Sequence, residues 1–263
     1  MATGVTTGPP DWRRMVEGFS RTAENYSATM APSLRTMAVA VVQRAQLQVG
    51  EMILDAGTGT GVGAAASLTR GRTVFGVDAA AGMLAIARRE VPGARFVRAD
   101  FNHLPFASHF FNVVISVHAL HFAVDPVATL EEWRRVTRPG GRLSLSVPGP
   151  RSALSLKLYD PIFRRYGVVR RMQVPTRAKL IAWARAAGWQ QMEVFADPTT
   201  VIRLAGPDSF ARWMRTASRS DATRAMSRER FAALEADLMA ATPIGPDGLL
   251  HIPFGTLYLK AHT

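Results

Sequence analysis

The chain of 263 residues has no cysteine, which removes disulfides, thiolate metal sites and cysteine nucleophiles together. A disulfide-stapled secreted fold is thereby excluded, and a cytoplasmic location is expected. No apolar run approaches the roughly 18 residues of a membrane span, and MATGVTTGPP has neither the charged nor the apolar region of a signal peptide. Lysine is almost missing as well: Lys157, Lys179 and Lys260 are the only ones among 32 cationic residues. What remains is ordinary for a folded chain, with 48% apolar residues, 21 Gly and 16 Pro.

The net charge of +12 invites a phosphate-binding reading, because clustered Arg and Lys release counterions from nucleic acid. Its distribution argues for a solvated basic surface instead: residues 1–150 hold 15 basic against 11 acidic side chains, and 151–263 hold 17 against 9. The most basic stretch is RRYGVVRR, with Arg164, Arg165, Arg170 and Arg171. It is expected to be solvent-facing, with peripheral contact to anionic lipid as the functional alternative.

Between Glu51 and Pro148 short apolar runs alternate with helical patterns. MILDA (52–56), TVFGV (73–77), ARFVR (94–98), FNVVISV (111–117) and RLSLSV (142–147) read as strands buried on both faces. The intervening segments are long enough for right-handed crossover helices, so the pattern predicts an α/β, doubly wound parallel sheet. Helices are expected around Trp12–Glu17 and Ser33–Leu47, at Arg177–Ala187, and over 207–240 with Asp208 or Ser209 as N-cap. Trp189–Val201 and 252–261 read as strands. The expected organisation is a helical cap over 1–50, a ligand-binding core over 51–150, and an acceptor-binding cap with the remaining core strands over 151–263.

The chemistry concentrates where the first strand ends. Asp55-Ala-Gly57-Thr58-Gly59-Thr-Gly61-Val-Gly63 places glycines at a strand-to-helix turn, where a ligand can approach bare backbone. Asp78, about 20 residues on, is placed to take ribose hydroxyls, since two vicinal O–H donors suit two carboxylate oxygens. A nicotinamide dinucleotide would use similar parts. Against it, Asp55 would repel a pyrophosphate at this turn, and some 50 residues precede the first strand.

Four blocks in order, ILDAGTGTG (53–61), FGVDAAAGML (75–84), FVRADFNHLPFASHFFNVVISVHALHF (96–122) and EEWRRVTRPGGRLSLS (131–146), resemble the class I S-adenosylmethionine-dependent methyltransferases, particularly the branch of the ubiquinone and menaquinone C-methyltransferases (methyltransferase type 11). The resemblance implies a Rossmann-like, seven-stranded, mostly parallel sheet with helical cap elements, and S-adenosyl-L-methionine as cofactor. It implies that Asp55 orders the turn near the methionine amino group. Gly57, Thr58 and Gly59 approach the methionine and ribose, and Asp78 holds the ribose. Ala79 and Met83 line the adenine, Asp100 accepts from its amino group, and the Phe101 backbone contacts the ring. Ser116 sits beside the methionine moiety, and Tyr26 closes over the cofactor. Asn112 stands where the family has Asp, which implies a lost structural contact, and FNHLPF makes the rim less acidic than is usual.

Two histidines of VHALHF, His118 and His121, follow the fourth strand and are candidate general bases for a phenol, enol or activated carbon acid. His121 is taken as the base to test; packing at a helix start is the alternative for both. His103 and His109 are expected in solvent. An Asn/Asp-Pro-Pro-aromatic signature for exocyclic amines is missing after the fourth strand, where Ser116-Val-His118-Ala stands, and pyrimidine C5 chemistry lacks its cysteine. No nucleic-acid partner is therefore expected. Leu154, Leu158, Tyr159, Ile162, Phe163, Tyr166, Met172, Phe210, Trp213 and Met214 are expected to wall an apolar small-molecule acceptor, methylated at O or C, or else to form the interior of a cap. The rival functions are a nicotinamide-dependent oxidoreductase, an RNA methyltransferase and a catalytically silent binding protein on the same fold.

Overall fold

The computed structural model describes residues 12–68, 72–149, 152–168, 174–217, 223 and 225–263. In chain order the elements are α1 (Trp12–Arg21), α2 (Ala23–Thr29), α3 (Ala31–Ala45), β1 (Met52–Ala56), α4 (Val62–Ser67), β2 (Thr73–Asp78), α5 (Ala81–Glu90), β3 (Arg95–Arg98) and β4 (Phe111–Val117). A 3₁₀ turn (Leu120–Phe122), α6 (Pro126–Val136), β5 (Thr137–Pro148), α7 (Ser152–Arg165), α8 (Arg177–Ala186), β6 (Gln190–Asp197), β7 (Val201–Leu204), α9 (Pro207–Ala217), α10 (Arg228–Ala241), β8 (Leu250–Pro253) and β9 (Thr256–His262) follow.

The main sheet has seven strands in the order β3-β2-β1-β4-β5-β9-β6. β1 to β5 pair in parallel, and β9 is antiparallel to both β5 and β6, so only β9 runs against the rest. Strand order reverses between β1 and β4, and a crevice therefore opens at the carboxyl ends of these two strands. The central strands are as apolar as this arrangement demands: Ile53, Leu54, Val113, Val114, Ile115, Leu143 and Leu145 are all at 0% exposure, because helices cover both faces. Trp133 of α6 and Trp189 lie in the same core, and their indole N–H groups donate to Phe101 O (2.9 Å) and Leu130 O (3.0 Å).

Asn112 does not forfeit its contact. Its side-chain oxygen accepts from Met52 N–H at 2.9 Å, where β1 begins, so an amide carbonyl serves as well as a carboxylate. α6 starts where its residues require: Asp125 accepts from the N–H groups of Val127 and Ala128, and Pro126 follows it at the first turn.

Three expectations change outside the core. α2 was not legible in the sequence; AENYSAT has no apolar period, and its seven residues gain stability from packing against α9, α3 and α5. Among the described residues the stretch 207–240 contains two separate helices, with Pro207 opening the first and Ser227 capping the second, so Asp208 and Ser209 lie inside a first turn. The segments 189–201 and 252–261 each divide between sheets. Asp197 turns the chain by accepting from Thr199, and Gly255 adopts φ +51° while Phe254 and Gly255 N–H both donate to Thr200 O. β7 and β8 thereby form a separate two-stranded sheet.

The apolar residues of the carboxy-terminal part pack on one another. Tyr159, Phe163, Phe210, Trp213 and Met214 join Ile202, Leu204, Leu234, Leu238 and Ile252 in a second core, with Leu158, Ile162 and Tyr166 packed against it. They are the inside of a cap. Met172 and the side chain of Leu154 lie outside the described residues.

Candidate active site

The turn after β1 is held to β2 before any ligand arrives. Gly57 and Thr58 N–H both donate to Val77 O at 2.9 Å, and Gly59 N–H donates to Asp78 Oδ2 at 2.8 Å. Gly57 has φ +71°, and a Cβ there would fall 2.4 Å from the Ala119 Cβ, so no other residue fits this close meeting of two loops. At Gly59 a Cβ would meet nothing within 4 Å, because that face of the turn opens on a cavity.

The cavity measures ≈ 340 Å³ at the switch point of the sheet. Of the sequence-derived candidates, Tyr26, Gly57, Gly59, Asp78, Ala79, Met83, Asp100, Phe101 and His118 line it. Asp78 accepts on Oδ1 from Ala80 N–H as well (2.8 Å); burial pushes its pKa up, and the N–H groups of Ala80, Gly59 and Ala79 oppose the shift. Met83 is both core and wall, at 1% exposure.

Asp55, Thr58, Ser116 and His121 do not reach the cavity surface. Asp55 lies beneath the turn, where its Oδ2 accepts from Thr58 Oγ1 at 2.6 Å. Its expected place near a methionine amino group is corrected to an internal brace. Ser116 is fully buried with its hydroxyl donated to Ala56 O at 2.8 Å, a bond joining β4 to β1, so Val117, His118 and Ala119 form the wall in its stead.

Burial also sets the charge of Asp55. Desolvation raises its pKa to about 6, against hydrogen bonds from Thr58 and Ala64. A carboxyl whose folded pKa lies above its ordinary 3.8 stabilises fully below that value, and the stabilisation is lost as pH rises through about 6. Asp55→Asn should therefore gain on the native chain by about 2 kcal/mol between pH 4 and 7, measured by denaturant unfolding at both pH values. A constant difference across that range would assign Asp55 an unperturbed carboxylate.

The two histidines part company. His118 sits at φ +51° with its N–H donated to Ser146 O (3.0 Å), and its ring is buried against Phe254 and 6.2 Å from the His121 ring. Its Nε2 is 3.4 Å from Thr256 Oγ1, and its buried Nδ1 has no hydrogen-bond partner. Burial first, then the neighbouring His121, hold the pKa of His118 well below 6.5. His121 is not among the residues lining the cavity; its ring packs on Phe122 at 3.9 Å, and burial pushes its pKa down to about 3. Of the other two, His103 stands at the cavity rim with an 89% exposed side chain, and His109 is exposed at the start of β4.

Several wall residues were not anticipated. Trp12, Met15, Val16 and Phe19 recur along α1 at helical spacing and close one side, and Phe19 meets Phe122 edge-on at 5.2 Å. That periodicity was the available signal. Asn102, Val124, Asp125 and Ala128 complete the mouth, where Trp12, Phe122 and Val124 remain 41%, 37% and 58% exposed. In the basic stretch, Arg165 pairs with Asp237 at 3.0 Å with its side chain 67% exposed, and Arg170 and Arg171 lie outside the described residues.

A Rossmann-like sheet with an acidic, glycine-floored crevice at its switch point defines a nucleoside-binding α/β protein. Comparison with known proteins narrows the class. Residues 54–145 match the family model of the methyltransferase domain. The malonyl-[acyl-carrier protein] O-methyltransferase of Yersinia pestis is 35% identical over 146 residues, 54% of each chain. The demethylmenaquinone methyltransferase of Clavibacter sepedonicus is 32% identical over 171 residues, covering 64% of this chain and 65% of that one. Among solved structures, a phosphoethanolamine N-methyltransferase of Haemonchus contortus in complex with S-adenosylhomocysteine superposes with TM-score 0.58 at 19% identity, over 87% of this chain and 52% of the other, which shows a shared fold. The chain spans about half the length of the first of these curated relatives. Residues 54–145 form a class I S-adenosylmethionine-dependent methyltransferase domain, and S-adenosylmethionine is its cofactor.

The residues present suit that group. Among the described residues the cavity carries three carboxylates, Asp78, Asp100 and Asp125, and neither Lys nor Arg. A sulfonium and an ammonium are favoured there, and a pyrophosphate is not.

Proposed function

We propose that the chain transfers a methyl group from S-adenosylmethionine to an O or C atom of an apolar small molecule, with His118 as the general base. The observation that carries this reading is the cavity itself: acidic where a cationic cofactor would rest, apolar at its open mouth, and provided with one buried, unprotonated imidazole.

Bound there, the cofactor supplies an electrophilic methyl group, so the protein has to align the acceptor, exclude water and take up a proton. Asp78 would hold the ribose, Asp100 the adenine amino group, and Ala79, Met83 and Phe101 the ring. Gly57 and Gly59 admit the methionine portion along the turn, under Tyr26. His118 flanks this end, beside Val117 and Ala119. Trp12, Phe122 and Val124 would receive an apolar acceptor, a task that passes to them because Tyr159, Phe163, Phe210, Trp213 and Met214 are committed to the cap core. Within the expected cap of 1–50, residues 12–26 thus contribute a wall as well as cover to the core of 51–150. The curated relatives named above methylate acceptors as different as a carrier-protein-bound malonyl group and a demethylmenaquinone, which supports methyl transfer in general and leaves the acceptor to the mouth of this cavity. Among the described residues no helix is long and apolar enough to cross a membrane.

Ligand-dependent melting tests the reading. At 100-fold excess over Kd, S-adenosylmethionine should stabilise by about 2.7 kcal/mol, or about 5–8 °C for a chain of this size. NADH at the same concentration should leave the midpoint unchanged, and a shift by NADH alone would return the oxidoreductase reading.

A further inference from the structure

A chain of side-chain hydrogen bonds joins the loop after β3 to the first turn of α6. Asp100 Oδ1 accepts from Asn102 twice, from its backbone N–H at 2.9 Å and from Nδ2 at 2.6 Å. On the far side of the same amide, Thr129 Oγ1 lies 2.5 Å from Asn102 Oδ1 and 2.8 Å from Asp125 O. The orientation of the amide follows from valence. A carboxylate only accepts, so the NH₂ group faces Asp100 and the amide oxygen faces Thr129 Oγ1, whose one proton is shared between Asn102 Oδ1 and Asp125 O. Thr129 is fully buried, and Trp133 Nε1 clamps the neighbouring Phe101 O at 2.9 Å, so the loop has little freedom to turn. Asp100 is left with Oδ1 saturated. Its Oδ2 remains free to accept, with His103 Nδ1 4.0 Å away, beyond hydrogen-bonding range. Asp100 and Asn102 both line the cavity.

We infer that Asn102, oriented by Thr129, is a positioning residue that holds Asp100 as a pure acceptor, so that the site selects a 6-amino purine over its 6-oxo counterpart. An exocyclic amine brings a proton to Oδ2, whereas a carbonyl oxygen in its place would meet a lone pair. The inference rests on the proposed adenine contact of Asp100. It goes further in assigning base selection to two residues outside that contact.

The test is calorimetric and needs no acceptor: Kd for S-adenosylhomocysteine and for its deaminated analogue S-inosylhomocysteine, on the full chain and on Asn102→Ala, Thr129→Val and Thr129→Ser. The native chain should prefer the adenosyl compound by at least about 30-fold, as sites built around a buried hydrogen bond do. Asn102→Ala and Thr129→Val should bring that ratio below about 5-fold, and Thr129→Ser, which keeps the hydroxyl, should preserve it. Asn102 is only half-buried, so its variant gives the answer if Thr129→Val fails to fold. A parallel loss of both affinities at constant ratio would make the chain a structural brace and overturn the inference. Binding of S-adenosylhomocysteine without base preference in the native chain would overturn it while sparing the methyltransferase reading. Absence of binding altogether would remove both.

Discussion

Replacing His118 by Asn should lower the methylation rate by about 10²–10⁴-fold while leaving affinity for S-adenosylmethionine within about threefold. Asparagine is the informative replacement because His118 occupies φ +51°, a conformation that Asn tolerates and Ala does not, so backbone strain stays out of the comparison. Burial and the nearby His121 keep the imidazole neutral at physiological pH, with Nδ1 free to accept a proton. The pKa is depressed, so protonation takes hold only well below 6.5. The native pH–rate profile should accordingly stay flat from neutrality downward and fall on an acid limb displaced below that value, and the variant should lack this limb. The same sign applies to stability: the contribution of a neutral buried His118 is present above 6.5 and declines as pH falls through the depressed pKa. His121→Asn serves as the control and should change the rate by less than about threefold, since its ring turns to Phe122. If His118→Asn keeps its rate and only melts earlier, the ring is a packing group and transfer proceeds by alignment.

For Asp78→Ala, affinity for S-adenosylmethionine should fall roughly 10- to 150-fold, equivalent to about 1.5–3 kcal/mol, by calorimetry. Two effects add. A carboxylate placed for the ribose hydroxyls disappears, and the N–H groups of Gly59 and Ala80, each 2.8 Å from one of its oxygens, lose their partner, so the glycine turn is less ordered before binding. Desolvation already raises the pKa of Asp78, so the loss should show chiefly in binding and little in the melting point of the free protein. Unchanged affinity in a folded variant would exclude Asp78 as the ribose anchor.

How much of this was legible in the chain depended on range. Residues 52–56, 73–78, 111–117 and 142–148 announce themselves as strands because a parallel sheet covered on both faces requires apolar runs, and that requirement is local; 95–98 is instead an edge strand with Arg95 and Arg98 exposed, so its expected burial on both faces does not hold. Asp55, the glycines after it and Asp78 could be placed at strand ends for the same reason, and the structure puts Gly57, Gly59 and Asp78 on one cavity. Nothing local told Asp55 from Asp78. Both end strands, yet one lies under the turn against Gly63 and Ala64 at the start of α4, and the other beside it.

His118 and His121 mark the same limit. Three residues apart after one strand, they were equivalent as sequence, and both stood as candidate bases. The left-handed backbone of His118 and the 3₁₀ turn at Leu120–Phe122 bring His118 to the cavity wall with its ring against Phe254, and lay the His121 ring on Phe122. Likewise the run 252–261 satisfied a strand pattern throughout, and only the contacts of Phe254 and Gly255 with Thr200 split it between two sheets. What the sequence by itself determined was the sheet, its switch point and the residue types gathered there, since hydrophobic periodicity and glycine at a strand end are constraints on a few neighbouring residues. The tertiary structure alone decided which side chains face the cavity, that α1 walls it, and that the cap keeps its apolar residues for itself. Those outcomes depend on contacts between segments far apart in the chain, whose geometry no single segment encodes.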